Sequence, residues 1–269
     1  MRLRKNCEKP KFIGRLASDG VSGKECMKNI RFEEEINTVT TENLLSVWKK
    51  PEKQKVLRRY VVSVDIGGRS NASDYSVITV FDRYWMMELG GVPEKVASWN
   101  GHIPHYKLAW LSVQIAVWYN NALLVFESNT YETEQTEGEH FEYVLSEIAT
   151  AYGNLYFRNS SEVIRDKIPP KWGFHTNKSS KTLIMDNLEK MLDADGYIEK
   201  DEYTCDEMTT YEIKPDGSFG AIDGYHDDRL MSTAIGIYVC YDLKYIALPE
   251  IVNENKYTPR TRIVSEASF

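Results

Sequence analysis

The chain has 269 residues, 42% of them hydrophobic and 12% aromatic, which suits one large folded domain with extensions. No apolar run nears the roughly 20 residues of a membrane helix, and no apolar core follows the basic start MRLRKNCEKPKF, as a secretory signal would require. A net charge of −7 argues against static nucleic-acid binding as the main task, yet it suits an enzyme that gathers acids in a metal site.

Residues 1–57 are polar and rich in Lys and Glu, and they read as an extension or hinge-like segment packing on the domain or on an absent partner domain. Phe32–Ile36 and Thr41–Trp48 are each expected to form a brief helix, the second opened by Thr41 with Glu42 behind it. GVSGKE at Gly20–Glu25 is no phosphate loop, because Ser18 stands where the first glycine belongs and Glu25 replaces the Ser or Thr. The basic run KKPEKQKVLRR, Lys49–Arg59, reads as a solvated face or linker.

A domain is expected over residues 58–248. Arg59–Ile66, Tyr75–Asp82 and Lys95–Asn100 are strand candidates joined by connections short enough for antiparallel pairing. Tyr106–Trp118 carries apolar residues at helical spacing, and Ala122–Phe126 is a continuous apolar run that suits a strand buried on both faces. Glu139–Ala151 reads as a helix, Asn154–Phe157 as a strand, Lys181–Leu192 as an amphipathic helix, and about 227 to 243 as a final buried helix. The tail, residues 249–269, is polar. Three antiparallel strands followed by alternating α and β elements predict an α/β fold, a mixed sheet flanked by helices, in the manner of ribonuclease-H-like folds.

Four acids sit at element ends. Asp65 closes the first strand at VSVDIGG, Glu127 closes ALLVFE, and Asp227 and Asp228 open the final helix at GYHDDRLMSTAIG. Alone, each has an ordinary explanation as a turn former or a helix cap. If the strands ending in Asp65 and Glu127 are parallel neighbours, and the final helix crosses that sheet, the acids converge. Carboxylates so close cannot all stay ionised without a cation. Hard oxygen donors, with no C-x-x-C among Cys7, Cys26, Cys205 and Cys240 and few histidines, point to Mg²⁺ or Mn²⁺ rather than zinc. Two such ions would clamp the attacking and leaving oxygens of a phosphodiester. Asp74 is a candidate further ligand or a turn residue, and His226 either orients a water or is a surface histidine. Asp227 shares a helical face with Met231 and Ala234, Asp228 with Ser232 and Ile235, so which of the two points inward stays open.

VDIGGRSNASDYSVITVFD, LLVFESN, WGFHTNKSSKTLIMDNLEKML and YEIKPDGSFGAIDGYHDD, in this order, resemble the nuclease domain of phage terminase large subunits over roughly residues 58–245. The resemblance implies a ribonuclease-H-like, metal-dependent endonuclease that cuts concatemeric DNA with little sequence preference. It implies Asp65, Glu127 and the Asp227–Asp228 pair as catalytic metal ligands, with two Mg²⁺ or Mn²⁺ ions. Double-stranded DNA, an ATPase domain or subunit, the portal and the small terminase subunit are the implied partners, in the host cytoplasm and away from any membrane. The family's ATPase half, with its Walker motifs, has no counterpart here. Basic residues between Arg165 and Lys181, notably Lys171, Lys178 and Lys181, are candidates for holding the DNA backbone. Other readings are a Holliday-junction-resolvase-like nuclease, an actin-like or sugar-kinase-type ATPase suggested by VDIGGRS, and a non-catalytic docking module.

Overall fold

The structure is a computed structural model that describes residues 3–35, 38, 40–67, 74–128, 137–158, 166–167, 171–214, 217 and 219–242. The sequence expectations for Ile36, for Arg165 and for the 249–269 tail lie outside the described residues.

Seven strands form one sheet: β1 (Phe12–Ala17), β2 (Arg31–Glu34), β3 (Leu45–Val47), β4 (Tyr60–Asp65), β5 (Ser76–Asp82), β6 (Glu94–Gly101) and β7 (Leu123–Phe126). Their order is β2-β1-β3-β6-β5-β4-β7. Every neighbouring pair is antiparallel except β4 and β7, which run parallel with Val64 opposite Phe126. A small hairpin, β8 (Tyr211–Ile213) with β9 (Phe219–Ala221), stands apart from this sheet. The helices are α1 (Tyr84–Leu89), α2 (His105–Trp118), α3 (Glu137–Ala151), α4 (Lys178–Asp193), α5 (Glu202–Thr209) and α6 (Asp228–Cys240). None of those described is long and apolar enough to cross a membrane.

The strands of the middle of the sheet are apolar on both faces because helices cover both. Val62 and Val64 of β4, with Leu124 and Phe126 of β7, join one core with Leu108, Val113 and Ile115 of α2 and Val144, Leu145 and Ile148 of α3. Val61, Leu123 and Val125 join a second core with Ile184 and Leu188 of α4 and Leu230, Ala234 and Ile235 of α6. The period-2 alternation of a strand then decides where the acids point. Asp65 shares parity with Val61 and Ser63, and Glu127 with Leu123 and Val125, so both belong to the α6 side.

α6 lies directly on the sheet. Ser232 Oγ donates to the Ser63 carbonyl at 3.1 Å and meets Thr79 Oγ1 at 3.0 Å. Gly236 permits the approach, since a Cβ there would stand 2.4 Å from the Phe81 ring. Polar side chains fix the helix at its last turn and at its middle. The buried Arg83 guanidinium donates to the Val239 and Cys240 carbonyls at 3.4 and 3.2 Å, satisfying orphan acceptors of the last turn. Midway along the helix, fully buried Lys95 binds Glu199, Thr204 Oγ1 and Thr233 Oγ1 at 3.0, 2.8 and 3.0 Å, tying β6 to the α5 region and to α6. With one partner for each ammonium proton, this buried charge is hydrogen-bonded as well as ion-paired.

Two local expectations are corrected. Phe32 and Thr41–Trp48 do not lie in helices: Arg31–Glu34 is β2, and Leu45–Val47 is β3, wholly buried. Segments this short cannot repay helix nucleation, whereas pairing with β1 and β6 satisfies their backbone at once. The segment expected as an N-terminal extension thus carries three strands onto the sheet. Asn154–Phe157 makes isolated bridges beside β7 and to Trp172 and Gly173 instead of a continuous strand. α1, α5 and the β8–β9 hairpin went unforeseen.

Candidate metal centre

Register brings the first two acids together. Val64 pairs with Phe126 across the parallel strands, and the Glu127 N–H continues the ladder to the Val64 carbonyl at 2.9 Å, so Asp65 and Glu127 leave the sheet side by side. Next to them Ser128 is clamped to the Phe174 carbonyl by its N–H at 2.8 Å and its hydroxyl at 3.0 Å. Asp65 is only 7% exposed. Burial holds its carboxyl well above the usual carboxylate range, and so do the charge and hydrogen bond of Glu127, then the charges of Asp228 and Asp227. All of these influences act in the same direction.

The third contribution comes from the start of α6. Asp227 occupies the N-cap position, but its side chain makes no capping hydrogen bond. Glu207 of α5 performs that task from outside the helix: its Oε2 accepts from the Leu230 N–H at 2.9 Å. Asp227 is left half-buried, with its Oδ2 3.6 Å from Lys181 Nζ. Asp228 turns inward and is 5% exposed. Its Oδ2 accepts from the Tyr75 N–H at 3.0 Å and lies 3.7 Å from His226 Nδ1. Burial, opposed by that hydrogen bond and helped by Asp74, pushes the Asp228 carboxyl up to about 7. Gly67 packs against the Tyr75 backbone, where a Cβ would sit 2.3 Å from the Tyr75 carbonyl carbon.

Asp74, His226 and Asp228 bring ligand atoms within 4.8 Å of one another, with His226 Nδ1 3.4 Å from Asp74 Oδ1. The structure therefore has two adjoining groups, the Asp65–Glu127 pair and the Asp74–His226–Asp228 cluster. Asp228 joins them, since its charge bears on Asp65. Sequence had allowed His226 to be a surface residue; it is exposed, but it stands within the acidic cluster. Glu207, Tyr75 and Arg229 were missed; for Tyr75, next to Asp74, and Arg229, next to Asp228, adjacency to a candidate acid was the signal in the sequence. Arg229 binds Asp201 at 2.9 Å and Asn100 at 2.7 Å, which pins the first turn of α6.

Of the candidate DNA-gripping residues, Lys178 is exposed at the start of α4, beside the Asn177–Ser180 capping box. Lys181 is one turn on, beside Asp227 and 5.7 Å from the Tyr211 ring. Lys171 is exposed on the segment whose carbonyl accepts from the Arg158 N–H at 3.0 Å, separate from that turn of α4.

The donor set fits a hard divalent cation. Carboxylate oxygens dominate, a single imidazole is present, and the buried Asp65 carboxyl, crowded by Glu127 and Asp228, is costly to ionise without a cation. Zinc, which favours several Cys or His ligands, fits poorly.

No protein-family model matches the sequence, and no curated protein sequence does either. Among solved structures, the large terminase nuclease from thermophilic phage G20c with bound magnesium is similar at a TM-score of 0.50 and 17% identity, over 72% of this chain and 86% of that one. The cobalt-bound form of that nuclease aligns at 0.49 and 16%, over 72% and 86%. The large terminase nuclease domain of Thermus phage P74-26 aligns at 0.43 and 18%, over 71% and 83%. The first likeness establishes the fold as that of a large terminase nuclease, the ribonuclease-H-like mixed sheet expected from the sequence.

Proposed function

We propose that this chain is the metal-dependent endonuclease domain of a phage DNA-packaging terminase, hydrolysing phosphodiester bonds of double-stranded DNA with little sequence preference. One observation carries the reading: Asp65, Glu127 and Asp228, from three separate elements, meet on one face of a sheet whose fold is shared with a magnesium-binding terminase nuclease.

Asp65, Glu127 and Asp228 would hold two Mg²⁺ or Mn²⁺ ions, with Asp227 and Asp74 as supplementary ligands. Bound there, the cations would neutralise the scissile phosphate and ease deprotonation of the attacking water. The chain's own residues prepare that state. A cation there would relieve the cost of ionising buried Asp65, and Asp228, pushed up to about 7, ionises near neutrality. The Tyr75 N–H and the pinned Arg229 keep Asp228 aimed inward. Lys181 is ion-paired to Asp227, and we assign it with Lys178 and Lys171 to the DNA backbone. Such phosphate contacts are sequence-blind and sensitive to salt. The working assembly in this reading includes an ATPase domain or subunit, the portal and the small terminase subunit, in the host cytoplasm.

The test is nicking of supercoiled plasmid with Mg²⁺ or Mn²⁺, comparing the unaltered chain with Asp65→Asn and Glu127→Gln. Metal-dependent nicking that both substitutions reduce by about 100-fold or more supports the reading, since loss of mere outer partners of metal ligands already costs 10–100-fold. Nicking that survives both substitutions, or ATP hydrolysis without nicking, refutes it.

A further inference from the structure

Beside the acidic cluster lies a cleft of about 750 Å³ that the metal chemistry does not use. Tyr75 and His226 belong to both: the Tyr75 N–H holds Asp228, His226 stands beside Asp74, and their rings meet edge to face at 5.6 Å. Tyr203 and Tyr225 also line the cleft, and each is 59% exposed. Aromatic rings left in water around a cleft of ordinary ligand-site volume offer flat apolar faces to a flat apolar ligand.

Charge narrows the choice. Among the described residues, the one Lys or Arg lining the cleft is Arg229, and its guanidinium is already taken by Asp201 and Asn100. Glu42 and Glu207 line it as well, and Asp206, another lining acid, is paired with Arg4. The carboxylates of this wall repel a phosphate, whereas carboxyl oxygens can accept from exocyclic amines of a neutral base. Phosphate is the natural ligand next door, at the cation site. A nucleotide straddling the two would set its phosphate at the acids and its base among the tyrosines.

We propose that this cleft binds the base of the nucleotide beside the scissile phosphate, unstacked from the duplex. The inference rests on the nuclease reading above. A base inside an intact duplex cannot enter the cleft, so it must leave the stack at a cost of a few kcal/mol, least where it is already unpaired. Stacking on aromatic side chains returns about 1–3 kcal/mol per base and is indifferent to sequence. The enzyme is therefore faster on bubbles, frayed ends and single strands than on fully paired DNA. Among unpaired bases, those bearing amines bind better than thymine.

The experiment uses the full chain with paired and bubble duplexes carrying 2-aminopurine at the tested position. Fluorescence is read in Ca²⁺ and strand cleavage in Mn²⁺. The expected result is quenching with the bubble only, and cleavage of the bubble about tenfold faster or more. Tyr203→Ala and Tyr225→Ala should abolish the quenching and bring the rate ratio close to one. Tyr203→Phe and Tyr225→Phe should retain both, and thermal melting confirms that all variants fold. Metal-dependent cleavage with a rate ratio near one in the unaltered protein overturns the base-binding cleft and leaves the nuclease intact. A high ratio that the alanine variants keep also overturns it, since the base then lodges elsewhere. Absence of any metal-dependent cleavage overturns the nuclease reading instead. In that case the fluorescence alone decides whether the cleft takes a base.

Discussion

Glu207 offers a test of how the first turn of α6 is held. Its carboxyl caps the helix by accepting from Leu230, yet burial pushes it up to about 8 from the ordinary 4.5. Burial outweighs the attraction of the Arg229 charge and of the Leu230 and Arg229 N–H groups. A carboxyl raised in the folded state binds its proton more tightly there than when unfolded. Its contribution is therefore fully present below pH 4.5, falls as pH rises, and levels off above about 8. Between pH 4.5 and 7 the loss is about 2.5 pH units at 1.36 kcal/mol each, or about 3 kcal/mol. Glu207→Gln keeps an oxygen for Leu230 but cannot ionise. It should match the unaltered protein near pH 5 and exceed it by about 3 kcal/mol at pH 7, or about 6–12 °C in Tm for a domain of this size. Glu207→Ala removes the acceptor and should fall about 1–2 kcal/mol below the Gln variant at every pH. Urea unfolding in EDTA at pH 5, 6, 7 and 8 measures all three. A difference between Gln variant and parent that does not change with pH would show that Glu207 ionises normally, and the reasoning would fail.

Asp228 leads to a prediction for metal binding. With its carboxyl at about 7 and that of Asp65 raised as well, at least one proton must leave before a cation enters, so apparent Mn²⁺ affinity should fall at least tenfold per pH unit below 7. Calorimetric titration from pH 5.5 to 7.5 checks this, and a flat profile contradicts it. Lys178→Glu with Lys181→Glu should weaken DNA binding and lower the slope of log affinity against log salt by about 2, measured by fluorescence anisotropy; an unchanged slope removes both residues from the DNA contact. Gly236→Ala puts a methyl 2.4 Å from the Phe81 ring and should cost about 1–3 kcal/mol in urea unfolding, while a neutral result would mean that the ring yields freely.

Much of this molecule could be read from its residues. The apolar runs of β4, β5 and β7, the periodicity of α2, α4 and α6, and the placing of Asp65 and Glu127 at strand ends are local patterns with period 2 or 3.6, and local patterns survive folding. They were enough for the fold class, and for the acids as a candidate centre. They misjudged Leu45–Val47, because a three-residue strand owes its existence to partners on β1 and β6 that lie far away in the chain. They also missed α5, whose acid Glu207 caps a helix 23 residues on.

The ambiguity of Asp227 and Asp228 shows where the boundary lies. Helical spacing puts each on a different face, and neither face is privileged until the helix docks. Docking on Ser63, Thr79 and Phe81 turns Asp228 toward the Tyr75 N–H and leaves Asp227 to Lys181. Periodicity is a property of one segment and can be read from that segment alone. The rotation of a helix about its axis, the partner of a capping group and the walls of a cleft belong to pairs of segments. They are settled by the packing energy of the assembled sheet and helices, which no single stretch of the chain contains.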